Sequence, residues 1–395
     1  MSRPPGYRLL PIVLALWPAI ASAHDPSAWG GLFRSRDHGG TWIAATEGRF
    51  VSGALALAIS PTDVNQVLLG TDSGLLRTLN GGRDWQTETP SVFAGPVFAV
   101  AFHADGVGGL ASTGLGIFRT DDGVAWRSIG APDGAFPVRA IVRGAGAGRA
   151  YLAGSQGLWR TDDWGHAWTD VVEGLPPAPV TAVLVRPGPP EAVLVVCGGR
   201  LWASRDGGGT WSERDRGLPA GAVEAIATDP GRLDRIWAAG ADQVHRSDDG
   251  GATWHPIGAP LDETGAVIRG VAADADGHAI VLTTHRGIYR SVDDGRAWEL
   301  SIDALPGHME AGPLLRDLVD PRTLYAGFSL TPYDELRRMA VTGESLLARL
   351  DAASVAGGVA FLVLLVLSGV AAVRWLTRSR SSRLQAVPHV GDQPR

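Results

Sequence analysis

The chain has 395 residues, 45% hydrophobic and 19% charged, a balance that fits a globular protein with large buried sheets. A formal net charge of -6 argues against a basic field for nucleic-acid binding. All 35 basic residues are arginine, which points to a GC-rich genome, and the lone Cys197 excludes an internal disulfide.

Residues 1–23 carry the pattern of a secretory signal. Arg3 and Arg8 form the charged start, Leu9 to Ile20 the apolar run and Ala21-Ser22-Ala23 the cleavage site. The mature chain then begins at His24. An N-terminal His can ligate copper through its amine and ring, but no paired His motif accompanies it, so no metal is assigned.

From residue 24 to residue 330 one motif returns, Ser/Thr-x-Asp-x-Gly-x-Thr/Ala-Trp. Its copies begin at Ser35, Thr78, Thr161, Ser204, Ser247 and Ser291, and a shorter copy begins at Thr120. The closing Trp stands at 42, 85, 126, 168, 211, 254 and 298, in steps of 43, 41, 42, 43, 43 and 44 residues. A fixed period in this range marks a propeller or a solenoid. The motif suits a tight turn. The hydroxyl and the carboxylate accept from turn amides, and the glycine at the fifth position supplies a positive φ. The Trp opens the next strand and packs sideways on a neighbouring sheet.

Each unit reads as four short strands. In the fifth these are Val223–Thr228, Ile236–Gly240, Gln243–Ser247 and Thr253–Ile257, with the repeated motif as the turn between third and fourth. The ends complement each other. The N-terminal side supplies a third strand, Gly31–Ser35, and a fourth, Thr41–Ala45. The C-terminal side supplies a first, Leu314–Val319, and a second, Thr323–Phe328. An all-β, seven-bladed propeller closed by a composite blade follows, because closure protects sheet edges.

Residues 331–353 read as a linker or juxtamembrane helix with Leu336, Met339, Leu346, Leu347 and Leu350 as its apolar set. Residues 354–376 read as one transmembrane helix, built on the uncharged run Val355 to Val373. Arg374, Arg378, Arg380 and Arg383 follow, which keeps the short tail, 377–395, in the cytoplasm and the propeller on the periplasmic side.

The recurring carboxylates Asp37, Asp163, Asp206, Asp249 and Asp293 invite a catalytic reading. Their place in turns around a ring gives no close carboxylate pair, so they are read as structural together with Ser35 and the Trp residues 42, 85, 126, 168, 211, 254 and 298. Asn80 replaces Asp in the second copy, which a turn tolerates. An Arg precedes most copies (Arg34, Arg77, Arg119, Arg160, Arg246, Arg290). It reads as an inter-blade ion pair or a stack on a Trp, with a ring for an acidic partner as the sharper alternative. Candidate partner-binding residues are the apolar members of the loops between units, Phe50, Phe93, Phe136, Leu175, Leu218 and Leu305, which either face a partner or cap their own blades. The run Gly144-Ala145-Gly146-Ala147-Gly148 reads as a hairpin turn. No phosphate loop, zinc motif or nucleophile elbow occurs.

These repeats resemble the Asp-box, or BNR, repeat across residues 31–329. The run Gly287-Ile288-Tyr289-Arg290-Ser291-Val292-Asp293-Asp294-Gly295-Arg296-Ala297-Trp298 is similar to units of the photosystem II stability/assembly factor family. Sortilin-type receptors and two-propeller xyloglucanases also have repeats of this kind. The resemblance implies a single exported seven-bladed propeller that binds a protein, with no cofactor. The membrane span departs from typical members. The expected role is therefore a non-enzymatic, membrane-anchored scaffold. The alternative is a glycan-binding or glycoside-hydrolase-like propeller of the sialidase or xyloglucanase type, for which Asp262, Glu263 and Glu310 would have to converge on the loop face.

Overall fold

A computed structural model describes residues 30–342 apart from 189–190, 222, 230, 263–266, 275–278, 302–304, 307–308 and 318, together with positions 363, 367 and 368. One compact unit ends at Thr342, and a second comprises Gly343–Arg395. The signal segment, His24, Glu263, Leu346, Leu347, Leu350, the cytoplasmic tail and all but three positions of the apolar run lie outside the described residues. Among the described residues no helix is long and apolar enough to cross a membrane.

Seven four-stranded antiparallel sheets form the first unit. Blade 1 contains β3 (Ala54–Ile59), β4 (Val67–Thr71), β5 (Gly74–Thr78) and β6 (Gln86–Thr87). Blade 2 contains β7 (Val97–Phe102), β8 (Gly109–Thr113), β9 (Ile117–Thr120) and β10 (Arg127–Ile129). Blade 3 contains β11 (Ala140–Arg143), β12 (Ala150–Gly154), β13 (Gly157–Thr161) and β14 (Thr169–Asp170). Blade 4 contains β15 (Val180–Arg186), β16 (Ala192–Cys197), β17 (Arg200–Ser204) and β18 (Ser212–Glu213). Blade 5 contains β19 (Ala225–Thr228), β20 (Ile236–Gly240), β21 (Gln243–Ser247) and β22 (His255–Ile257). Blade 6 contains β23 (Ile268–Ala273), β24 (Ile280–Thr284), β25 (Gly287–Ser291) and β26 (Glu299–Ser301).

The seventh sheet is the composite one. It runs β2 (Ile43–Ala44), β1 (Gly31–Ser35), β28 (Leu324–Ser329), β27 (Glu310–Arg316). The seam is a full ladder from Gly31 opposite Phe328 to Ser35 opposite Leu324. Its first strand begins four residues earlier than the sequence suggests. Pro313 hides the start, and a register shift between Ala311 and Leu314 accommodates it. A shift recurs at the start of the first strand in blades 1, 2, 4 and 6.

The second and third strands are buried along nearly their whole length, whereas the fourth strands are short and largely exposed. The core therefore lies between blades. Trp237 of blade 5 is fully buried in one cluster with Val271, Ile280 and Leu282 of blade 6. Cys197 is buried in β16, its thiol pushed up in pKa by burial, as expected of a strand thiol.

A helix follows the last blade, α1 (Tyr333–Thr342). Pro332 precedes it and Asp334 and Glu335 occupy its first turn, a favourable N-terminal sequence. It does not lead away from the propeller. Tyr333, Leu336 and Met339 pack on Leu55 and Phe98 of the first strands of blades 1 and 2.

Candidate functional site: the two faces of the propeller

Strand direction gives the propeller two faces. Turns joining first to second and third to fourth strands make one face, and it carries the repeated boxes. The loops between blades and the turns joining second to third strands make the other. The chain leaves β28 on this second face and enters α1 there.

On the box face each carboxylate is consumed by its own turn. In the first box Ser35 Oγ donates to Asp37 Oδ1 at 2.8 Å and accepts from Gly39 N at 2.8 Å. Thr41 donates to Asp37 from its amide and its hydroxyl, both at 2.8 Å. Asp163, Asp206, Asp249 and Asp293 repeat the scheme. Hydrogen bonds from Ser204 and Thr210 pull the Asp206 carboxyl down to about 2. At Asp249 burial acts in the opposite direction, and bonds from Thr253, Ser247 and Ala252 outweigh it, again giving about 2. The fifth-position glycines have positive φ, as at Gly251 with 90°. The fourth position is also left-handed, even where it is His38, Trp164 or Asp294, at 58°, 56° and 59°. The one-letter pattern conceals that requirement because non-glycine residues fill it.

The box Trp residues tie blades together. The indole Nε1 donates to a backbone carbonyl about one repeat earlier: Trp85 to Ala45 at 2.7 Å, Trp211 to Val171 at 2.7 Å, Trp254 to Arg214 at 2.7 Å and Trp298 to Ala259 at 2.9 Å. Trp126 instead uses Glu88 Oε2 at 2.6 Å. Among the described residues, the buried indole nitrogens of Trp42 and Trp168 have no such partner.

The Arg residues before the boxes reach forward. Arg160 donates to Gly207 O at 2.8 Å, Arg119 to Trp164 O at 3.2 Å, Arg290 to His38 O at 2.9 Å and Arg34 to Gly81 O. Each acceptor lies in the next blade's box. Arg77 pairs with Glu88 at 2.6 Å, and Arg246 with Asp248 at 3.0 Å. The first four contacts support the inter-blade reading, Arg246 also stacks on Trp237 of its own blade at 5.7 Å, and with all six engaged no ring of arginines awaits an acidic partner. A further inter-blade anchor escaped sequence reading. Glu191, almost fully buried, accepts from Tyr151 Oη at 2.6 Å, Ala145 N at 2.6 Å and Arg149 Nη1 at 2.9 Å. The Gly144–Gly148 run is thus a hairpin turn, as expected, held by the next blade. Nothing in the local pattern around Glu191 signals this, because its partners lie about one repeat away.

The loop face corrects the apolar set. Phe93 is 2% exposed and packs edge-on against Phe118 and Trp126 at 5.3 and 5.1 Å. Leu305 is likewise core, and Phe136, Leu175 and Leu218 pack against inter-blade clusters. The reason is geometric: these loops cross the seam between neighbouring blades, so their apolar side chain drops into it. Phe50 alone of the six is exposed, at 67%. The same face exposes Leu115, in the turn between β8 and β9, and Leu330, whose amide donates to Ser52 O just past Phe50.

At the centre the first strands of all seven blades line a cavity of about 400 Å³. Helix α1 lies over its mouth. Glu310 at the rim accepts from Tyr333 N at 3.3 Å and faces Arg269 at 2.8 Å. Asp334 has Arg139, Arg269 and Arg337 at 3.8 to 3.9 Å. The guanidinium of Arg337 stacks on Tyr333 at 4.7 Å. Of the carboxylates expected to converge, Glu310 is engaged as an anchor of α1 and Asp262 is exposed. Among the described residues no group of His, Cys, Asp and Glu has a metal-holding arrangement.

The chain matches no known family profile and no curated protein. Its fold matches many solved structures. A GH74 xyloglucanase from Xanthomonas campestris superposes with a TM-score of 0.55 at 20% identity, over 73% of this chain and 55% of that one. The chain thus spans about 55% of the length of that enzyme. YCF48 bound to a D1 peptide gives 0.53 at 18% identity, over 71% of this chain and 94% of that one. YCF48 from Cyanidioschyzon merolae gives 0.54 at 16%, over 71% and 96%. The seven-bladed propeller is shared with both groups.

Proposed function

We propose that this chain is an exported propeller, tethered to the cytoplasmic membrane by residues 354–376, that binds a protein partner without catalysing a reaction. The observation that carries this reading is the loop face. Its central mouth is occupied by α1, while Phe50, Leu115 and Leu330 stand exposed around it. Exposed apolar residues on a face rimmed by polar loops suit a protein contact. YCF48, of the same fold and matched over 94% of its own length, has been solved with a bound peptide, which supports a binding role for such a propeller. Export and anchoring are supported by the signal pattern and by the uncharged run with arginines on one side. Tethering raises the local concentration of a scaffold near membrane partners. The glycan-active alternative ranks second because Glu310 is held by Arg269 and the Tyr333 amide, at the base of a helix that covers the channel.

Co-purification of the full-length protein from its native membrane in mild detergent tests the proposal. A defined protein should accompany the parent chain, and Phe50→Ser combined with Leu115→Ser should lower its recovery at least fivefold. Recovery unchanged by that pair, or no companion protein beyond a mock purification, would remove the loop-face reading.

A further inference from the structure

The cavity beneath α1 concentrates polar atoms that have no hydrogen-bond partner among the described residues. Nε of Arg139, Arg269 and Arg337, Oγ1 of Thr181 and Oε1 of Glu310 are all buried and unpartnered, and all five residues line it. Buried polar groups are ordinarily satisfied, so the three without an ionic partner of their own, Arg139 Nε, Arg337 Nε and Thr181 Oγ1, call for a physical reason. Arg269 Nε and Glu310 Oε1 are 2.8 Å apart but too poorly aligned to count as a hydrogen bond. Among the described residues the nearest carboxylate to Arg139 and Arg337 is Asp334, at 3.8 Å for each. That exceeds the usual distance of a charge-assisted bond, and the Asp334 side chain is 65% exposed. Arg337 is only 12% exposed, and burial, helped by the neighbouring Arg139 and Arg269, holds its pKa below the usual arginine range. Three guanidiniums thus converge around a cavity where, among the described residues, Glu310 is the buried carboxylate and is already drawn to Arg269; Glu224, also on the wall, is exposed. The remaining walls are apolar, with Leu55, Phe98 and Ile141 among them.

We infer that this cavity binds a small organic carboxylate with an apolar body. The carboxylate lies between Arg139 and Arg337 with the Thr181 hydroxyl as a further donor, and the body lies along the first strands. A guanidinium presents paired donors that match a carboxylate, and the cavity volume falls in the range of small-molecule sites. The same chemistry is offered by a free small acid and by the C-terminal carboxylate of a peptide. Because the site is independent of Phe50 and Leu115, it stands or falls separately from the protein-binding role.

The test uses the purified full-length protein in detergent with two probes. These are 4-fluorobenzoate, followed by fluorine NMR and calorimetry, and a six-residue apolar peptide with either a free or an amidated C-terminus. Saturable binding of 4-fluorobenzoate identifies the free acid as the ligand form, and binding of the free but not the amidated peptide identifies a chain terminus. Either supports the site, provided Arg139→Gln, at the rim of the mouth, weakens it at least tenfold while melting like the parent. Should Arg139→Gln fail to fold, Thr181→Val should weaken binding at least threefold. The inference is overturned if neither carboxylate binds saturably, or if the folded variant binds as tightly as the parent.

Discussion

The box repeats a geometry rather than a set of residues, and its second copy shows this best. Asn80 Oδ1 accepts from Thr78 Oγ1, Arg83 N and Asp84 N at 2.9, 3.0 and 2.9 Å, and its Nδ2 donates to Asp84 Oδ2 at 2.7 Å. In the first copy Asp37 accepts from the Thr41 hydroxyl. Donor and acceptor have changed places between positions three and seven, and the turn is unaltered. Asn80→Asp alone would set two carboxylates against each other. It should destabilise the protein by about 1 kcal/mol, and adding Asp84→Thr should restore most of the loss. Urea unfolding of the two single variants and the double variant measures the coupling. Additive losses would show that the two side chains act independently.

Among the elements, α1 departs furthest from its expected role. Amphipathic spacing made a helix legible between Pro332 and Leu350, and Leu336 and Met339 were rightly in its apolar set. Its docking on the channel mouth was not legible, because the residues that receive it, Leu55 and Phe98, lie more than 200 positions away. A ten-residue helix is marginal on its own, so packing holds it. Leu336→Ala with Met339→Ala should remove about 2 kcal/mol at each site, enough to undock it. Hydrogen exchange should then show lost amide protection across 333–342 with the seven sheets unaffected. Protection retained there would mean that the Glu310 and Asp334 contacts suffice.

For the whole molecule, closure is the decisive contact. The ladder from Gly31 to Ser35 against β28 joins segments nearly 300 residues apart, and Leu32, Phe33 and Trp42 fill cores on either side of it. Deleting residues 31–44 should leave β28 with an open edge and two uncapped inter-blade cores. The expected outcome is loss of a single cooperative melt and growth of soluble oligomers, seen by calorimetry and light scattering. A deleted chain that stays monomeric and melts as the parent does would show that six blades suffice.

Legible in the linear chain are the blade count, the box turns, the composite seventh sheet and the strands Gly31–Ser35, Ile236–Gly240 and Gln243–Ser247. Those features depend on local turn chemistry and period, which a linear pattern records. Only the folded ring shows that Phe93 and Leu305 are core, that Arg34, Arg119, Arg160 and Arg290 hold the next blade, and that α1 roofs a cavity with Arg139, Arg269 and Arg337 around it. Each of these pairs a residue with one in another blade or across the channel, and what a side chain meets there depends on how the ring closes.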